Sequence, residues 1–158
     1  VDEVIAADPY VDPAEMRERG VEPAASFEAL CRRADHLSVH APLTDETRGM
    51  VGADAFATLP PHAVVVNTGR GGVVDQAALA TALDDGDIAA AGLDVLETEP
   101  PEEDHPLFGR EDVVVTPHVG WYSAEARRDL NESLARDIRR AFRAEGPDGL
   151  VDPDADWL

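Results

Sequence analysis

The chain has 158 residues, 44% of them hydrophobic, which is enough for one modest core in a single domain. It carries 33 acidic and 13 basic residues, so its formal net charge at pH 7 is −20. This charge opposes nonspecific binding to nucleic acid or to anionic membranes, and the hydrophobic content excludes a disordered acidic interactor. A single cysteine, Cys31, excludes a disulfide framework or a cysteine-based zinc site, and we expect it to be a core residue.

Every basic residue is an arginine, and the acidic residues are spread along the chain. Self-repulsion destabilises such a compact state unless salt screens it, which favours a halophilic protein from a salt-rich cytoplasm. A GC-rich genome would give a similar composition. Because no apolar run has the length of a membrane span and the first 20 residues lack a signal-type apolar core, we expect a cytoplasmic location without membrane or direct nucleic-acid partners.

Apolar runs alternate with amphipathic segments along the chain. The pattern predicts strands at 3–7, 36–39, 63–67, 89–93 and 113–116, and helices near 13–19, 26–34, 53–58, 75–85 and 123–145. This alternation predicts an α/β fold with a parallel sheet and right-handed crossovers. In the last helix Leu130, Leu134, Ile138 and Phe142 recur every four residues, and we expect this stripe to be buried core.

Three of the predicted strands end in residues that suit acid–base chemistry on a small acid. The run VVVNTGRGGVVD at 64–75 places Arg70 in a glycine-rich turn, AAAGLDVLETEP at 89–100 ends in acidic residues, and VVVTPHVGWYS at 113–123 contains His118. An arginine can hold a carboxylate, and a histidine with a carboxylate beside it can exchange a proton near neutral pH. Each residue alone is typical of an ordinary loop, but together they predict reduction of a 2-keto acid.

The chain resembles the D-isomer-specific 2-hydroxyacid dehydrogenases. The resemblance rests on DPY at 8–10, HAPLTDETRGMV at 40–51, VNTGRGGVVDQAALATAL at 66–83, AAGLDVLETEP at 90–100 and HPLFGREDVVVTPHVGWYS at 105–123. Within the family, WYSAEA at 121–126 and the tail from 146 look most like the branch that contains the C-terminal-binding proteins. The resemblance implies a Rossmann-type doubly wound parallel sheet that binds NAD and acts on a small 2-keto or 2-hydroxy acid.

The resemblance also implies the residues of the site. Arg70 would hold the substrate carboxylate and keto oxygen, His118 would be the acid–base residue, and Glu99 would pair with His118. No metal is implied. The cofactor would be bound by Asp8, Ala41, Pro42, Leu43, Thr44, Thr47, Thr68, Gly69, Arg70, Asp94, His118, Gly120 and Trp121. Trp121 resembles a pocket-wall position of the C-terminal-binding-protein branch, and an interfacial aromatic residue is an equally good interpretation of it.

The glycine-rich phosphate loop of dinucleotide-binding folds, GxGxxG, does not occur in the sequence. Asp8 fits the acidic residue that ends the second strand of such folds and binds the cofactor ribose. We therefore expect a partial NAD-binding domain at 1–146 that lacks the first strand and its glycine loop. Residues 147–158 would be a tail returning toward a missing substrate domain.

The sequence therefore predicts an NAD-dependent D-2-hydroxyacid dehydrogenase that is a homodimer at full length, whereas the isolated segment is expected to be inactive. Two other functions stay open: an NAD(H)-sensing scaffold of the corepressor type, and an inactive fragment. Which 2-hydroxy acid it uses is not determined by the sequence.

Overall fold

The computed structural model describes residues 3–150 of the chain. The chain divides into two compact units, residues 1–115 and residues 116–158. Within the described range the strands are β1 (Ile5–Ala6), β2 (Glu22–Pro23), β3 (His36–Val39), β4 (Val64–Asn67), β5 (Ala90–Leu93) and β6 (Val113–Val115). The helices are α1 (Pro13–Glu18), α2 (Phe27–Cys31), α3 (Ala53–Thr58), α4 (Gln76–Asp85) and α5 (Ala124–Phe142), with a short 3₁₀ turn at Gly71–Val73.

All the paired strands are parallel. Strands β3, β4, β5 and β6 lie side by side in chain order, whereas β1 pairs with β2 in a separate two-stranded sheet. The parallel α/β fold expected from the sequence is confirmed, and the predicted strands and helices lie within a few residues of the observed ones. Strand β2 was not predicted, because two residues that include a proline give no strand pattern.

The larger sheet aligns the ends of its strands. Val39 pairs with Asn67, Asn67 with Leu93, and Leu93 with Val115, so four carboxyl-terminal residues share one line across the sheet. Segments that leave these strands start from the same edge, which is where open parallel sheets bind ligands.

The hydrophobic core of the first unit is built from the buried sides of these elements. Val65 of β4, Phe56 of α3 and Leu79 of α4 are almost fully buried in it. Cys31 is also fully buried, and burial raises the pKa of its thiol to about 11. The expectation that Cys31 is a core residue is confirmed.

The apolar stripe of α5 is exposed, and the expectation that it is core was wrong. Leu130, Leu134 and Ile138 are 56%, 57% and 49% exposed, and Phe142 is 88% exposed. The reason is topological, since α5 is the one helix or strand in the described part of the second unit. A four-residue period shows that a helix is amphipathic, but not what covers its apolar face.

The turn after β4 lies directly against the backbone that follows β5. A Cβ atom added to Gly71 would lie 2.0 Å from the carbonyl oxygen of Leu96 and 2.6 Å from the backbone nitrogen of Glu97. No side chain fits in that space, so residue 71 has to be glycine for the two segments to approach this closely.

Arg33, which follows α2, joins the small sheet to that helix. Its guanidinium donates to Glu22 at 2.7 Å and to Glu3 at 2.8 Å. The hydrogen bonds and charge of Arg33 lower the pKa of Glu22 from 4.5 to about 2.

We expect Glu22→Gln to reduce the acid sensitivity of the fold. A carboxyl whose folded-state pKa lies below its unfolded value stabilises the fold above that unfolded value, here near pH 4.5. The stabilisation is lost as the pH falls from about 4.5 toward 2. The free energy of urea unfolding, measured at pH 7 and pH 3, should therefore fall less in Glu22→Gln than in the unaltered protein. Glu46→Gln, which removes another exposed carboxylate, is the control, and an identical pH response in both variants would contradict the assignment.

We expect Gly71→Ala to destabilise the chain by about 1–3 kcal/mol, because the added methyl group forces the two backbone segments apart. Gly92→Ala in β5 is the matched control, since the nearest atom to its added Cβ, Cγ2 of Val66, is 3.8 Å away. Chemical unfolding of both variants measures the difference. Equal stability of the two would show that the close approach at Gly71 imposes no constraint.

Candidate active site

Asn67 stands at the end of β4, in the middle of the line of strand ends. It is fully buried, and its carbonyl oxygen accepts a hydrogen bond from the backbone N–H of Asp94 at 2.9 Å. Asp94, the first residue after β5, is itself buried. The ends of β4 and β5 are therefore joined by one further hydrogen bond beyond the strands, which places the turn after β4 beside the acidic segment after β5.

The carboxamide of Asn67 holds the turn that carries Arg70. Its Oδ1 accepts from the backbone N–H of Gly69 at 3.0 Å, and its Nδ2 donates to the carbonyl oxygen of Arg70 at 3.0 Å. A buried amide needs partners for both its acceptor and its donor, and this turn supplies them.

Arg70 is exposed, and its backbone is extended, with φ −134° and ψ 130°. One guanidinium nitrogen, Nη1, donates to the carbonyl oxygen of Gly69 at 2.9 Å. Arg70 thus places a cation at the carboxyl edge of the sheet, as the sequence predicts. The planar guanidinium has further N–H donors suited to a carboxylate.

The acidic segment after β5 is fixed by its own carboxylates. Oε1 of Glu99 accepts from the backbone N–H of Leu96 at 2.9 Å, and Oε1 of Glu97 accepts from the backbone N–H of Gln76 at 2.8 Å. Gln76 is the first residue of α4, so the Glu97 carboxylate lies at a helix N-terminus, where negative charge is stabilising.

A second contact ties this region to α4. The Leu107 backbone N–H donates to Nδ1 of His105 at 3.3 Å, and Nε2 of His105 lies 3.2 Å from Oε1 of Gln76. Since Nδ1 accepts, Nε2 carries the proton and donates to Gln76. His105 therefore has a structural role, linking the segment after β5 to the start of α4.

The loop after β3 is stabilised by two threonines. Thr47 Oγ1 donates to the carbonyl oxygen of Pro42 at 2.6 Å, and it accepts from the backbone N–H of Thr44 at 2.8 Å. The side chain of Leu43 lies against Gly72, because a Cβ added there would be 3.2 Å from its methyl groups. Residues 41–47 thus form a fixed loop beside the turn that bears Arg70.

Asp8 follows β1 in the small sheet and is exposed. Its Oδ1 accepts from the backbone N–H of Tyr10 at 2.8 Å, which orients the carboxylate. An exposed, oriented carboxylate just beyond a parallel strand suits a vicinal diol such as a ribose.

His118 lies in the second unit, two residues beyond its first residue, Thr116. Its backbone has a φ of 53°, which is uncommon for a residue other than glycine. Trp121 and Tyr122 form an edge-to-face pair with ring centroids 5.3 Å apart, and Arg127 Nη1 donates to the Tyr122 hydroxyl at 2.8 Å.

The structure groups part of the predicted site. Within the first unit it brings Gly69, Arg70 and Asp94 to one region of the sheet edge, with Glu99 on the adjoining segment. The pairing of Glu99 with His118, and the cofactor contacts of Thr68, Gly120 and Trp121, stay predictions.

Two residues of this region, Asn67 and Gln76, were missed by the sequence analysis. Both are polar and buried. The sequence shows Asn67 at the end of an apolar strand and Gln76 at the start of an amphipathic helix, and these positions were the available indication of their roles.

Asp8 supplies an exposed, oriented carboxylate of the kind that binds a ribose. The turn at 68–70 and the loop at 41–47 follow neighbouring strands at the carboxyl edge of the sheet, where their Gly69 N–H and Thr47 hydroxyl bond within the chain. The described residues contain no group of three or more His, Cys, Asp or Glu side chains that could hold a metal ion. No helix within residues 3–150 is both long and apolar enough to cross a membrane.

Comparison with known proteins identifies the family. A family model described as "D-isomer specific 2-hydroxyacid dehydrogenase, NAD binding domain" matches residues 2–120. The chain is 46% identical over 151 residues to D-3-phosphoglycerate dehydrogenase of Mycobacterium leprae, covering 96% of this chain and 28% of that protein. It is 42% identical over 128 residues to glyoxylate reductase of Thermococcus litoralis, covering 81% of this chain and 38% of that protein. The chain thus spans well under half the length of these relatives.

The structure resembles solved dehydrogenases over most of the chain. D-lactate dehydrogenase from Lactobacillus jensenii, solved with NAD+, aligns with a TM-score of 0.83 and 30% identity over 95% of this chain and 48% of that chain. The resemblance to the C-terminal-binding-protein branch stays a prediction. The family model and the fold agree, and the chain belongs to the D-isomer specific 2-hydroxyacid dehydrogenases, whose NAD-binding domain it carries.

Proposed function

We propose that the protein containing this chain interconverts a small 2-keto acid and a D-2-hydroxy acid by NAD-dependent hydride transfer. The observation that carries the proposal is the turn after β4, where a buried amide fixes the backbone of an exposed arginine at the carboxyl edge of a parallel sheet. Relatives named as D-3-phosphoglycerate dehydrogenase, glyoxylate reductase and D-lactate dehydrogenase support this class of reaction.

Arg70 binds the substrate in this proposal. A carboxylate and the adjacent keto oxygen present two acceptors in one plane, and a guanidinium can donate to both. Since Nη1 already donates to Gly69, the remaining donors of Arg70 face the substrate from a side chain whose position is restricted. The guanidinium of Arg70 thereby orients the keto acid and polarises its carbonyl group.

His118 moves the proton. During reduction it donates a proton to the carbonyl oxygen, which becomes the hydroxyl group, and during oxidation it accepts that proton back. Glu99 pairs with the imidazole and stabilises its protonated form. The hydrogen bond from Leu96 to Glu99 restricts the carboxylate for this task.

When bound, the reduced cofactor, NADH, would supply a hydride to the carbonyl carbon, and the oxidised cofactor, NAD+, would accept it in the reverse direction. Asp8 would hold the adenosine ribose, and Asp94 would contact the nicotinamide end. The loop at 41–47 and the residues Thr68, Gly69, Gly120 and Trp121 complete the proposed contacts. The domain limits proposed with this assignment are 1–146 for the NAD-binding part and 147–158 for the tail, most of which falls outside the described residues.

The proposal also covers the cellular location and the oligomeric state of the protein. The acidic, lysine-free composition supports a halophilic, cytoplasmic enzyme, and we propose a homodimer as its working state. An NAD(H)-sensing scaffold is the second candidate, favoured by the exposed apolar stripe of α5, which an assembly could bury. A change of oligomeric state on NADH addition, measured by light scattering without any turnover, would support the scaffold over the enzyme.

We expect His118→Gln to lower the rate of 2-keto acid reduction by ~100-fold to ~10,000-fold, because glutamine can hydrogen-bond but cannot donate the proton. Steady-state kinetics on a panel of 2-keto acids, with the protein expressed from its complete gene, measure the loss. NADH affinity, measured by fluorescence titration, should change little. His105→Gln is the control, since His105 contacts Gln76 rather than substrate. Near-normal turnover by His118→Gln would refute the mechanism.

We expect the protein to prefer NADH over NADPH, and Asp8→Ala to narrow that preference. The carboxylate binds the ribose hydroxyls and repels the additional phosphate of NADPH. Its removal therefore weakens the binding of NADH and relieves the repulsion of NADPH. The ratio of kcat/KM for the two cofactors measures the effect. Asp12→Ala is the matched control, because Asp12 also accepts from a backbone N–H two residues ahead, at 2.7 Å, but caps α1. Equal use of both cofactors by the unaltered protein would contradict the role of Asp8.

A further inference from the structure

We infer that Asn67 is the positioning residue for Arg70, and that its carboxamide sets where the guanidinium lies for a 2-keto acid. This inference deepens the proposed function and rests on it for the role of Arg70.

The argument begins with the burial of Asn67. It is a polar residue with 0% exposure at the end of a strand whose other inward residue, Val65, belongs to the apolar core. Burying an amide costs free energy unless its polar atoms find partners. An apolar residue would continue the inward pattern of β4 without that cost, so the amide has to be explained by what it binds.

Both amide atoms bind the same short turn. Oδ1 accepts from Gly69 and Nδ2 donates to Arg70, so the side chain binds one N–H and one carbonyl group of consecutive residues. Aspartate could replace the acceptor but not the donor, and alanine could replace neither.

The position of the guanidinium follows from these two bonds. Arg70 Nη1 donates to the carbonyl oxygen of Gly69. The guanidinium is therefore hydrogen-bonded to the same backbone turn that Asn67 holds. On the far side of Arg70, the contact of Gly71 with Leu96 blocks movement of the turn toward the acidic segment. Asn67 prevents the turn from relaxing away from that contact, and the backbone on both sides of Arg70 is thereby fixed.

The first test compares Asn67→Ala with the unaltered protein, with and without Arg70→Lys. A misplacement of about 1 Å can cost ~100-fold in rate, so we expect kcat/KM for pyruvate or glyoxylate to fall ~10-fold to ~100-fold. In the Arg70→Lys background, Asn67→Ala should lower kcat/KM by less than about threefold, because its effect passes through the guanidinium. An equal loss in both backgrounds would overturn the inference.

Two controls separate positioning from general destabilisation. Val65→Ala removes core volume from the same strand and should lower the melting temperature while kcat/KM at 25 °C stays unchanged. Asn131→Asp makes the asparagine-to-aspartate change at an exposed site in α5, and should alter neither quantity. If Val65→Ala lowers kcat/KM as much as Asn67→Ala does, Asn67 acts through stability alone and the inference is wrong.

Hydrogen exchange gives a reading that does not depend on activity. In Asn67→Ala the Gly69 amide should exchange about fivefold to tenfold faster, whereas the Val66 amide within β4 should exchange at its usual rate. Unchanged exchange at Gly69 would overturn the inference. If Asn67→Ala does not fold, Asn67→Asp takes its place in the kinetic comparison, because its carboxylate still accepts from Gly69 but cannot donate to Arg70. Failure of both to fold would make Asn67 a folding residue instead and overturn the inference.

The outcomes also separate this inference from the proposed function. If the unaltered protein reduces no 2-keto acid on the panel, the proposed function fails. If Arg70→Lys lowers kcat/KM but Asn67→Ala does not, the proposed function stands and the role of Asn67 fails.

Discussion

The region around Arg70 depends on the close approach of two backbone segments at Gly71 and Leu96. With no Cβ at residue 71, the turn after β4 rests directly on the chain after β5. The hydrogen bond from Asp94 to Asn67 and that from Gln76 to Glu97 lie on either side of this contact. The arginine-bearing turn and the glutamate-bearing segment therefore form one rigid assembly, so movement of either requires movement of both.

The sheet determines where this assembly lies. Parallel strands of similar length that pair in register end together, and here four of them end on one line. The apolar strand sequences stabilise the sheet, and polar residues begin where the strands end, with Asn67 and Asp94 still buried there. Backbone N–H and C=O groups lose their sheet partners where the strands end, and side chains such as Asn67 hydrogen-bond to them there. Polar groups that can bind a ligand are therefore found at this edge.

Much of this arrangement could be predicted from the sequence. Runs such as Val64–Val66 identify buried parallel strands, and the helix predicted near 75–85 is observed at Gln76–Asp85. Asp75 caps its start by accepting from the Ala78 backbone N–H, and Gly86 ends it in the left-handed conformation. Asn67 and Gln76 could not be assigned, because their importance lies in partners that only the folded chain brings near. The periodicity of α5 predicted its apolar face correctly but not its exposure, since a covering surface is not encoded in the helix itself.

Cys31 gives this fold an internal reporter. Its thiol is fully buried, and its pKa of about 11 leaves almost no thiolate at neutral pH, so alkylating reagents meet an unreactive group in the native state. It lies at the end of α2, two residues before Arg33, whose guanidinium bonds to the small sheet. Thiol labelling therefore records how often this corner of the molecule opens, and because no other cysteine is present, the signal belongs to one site.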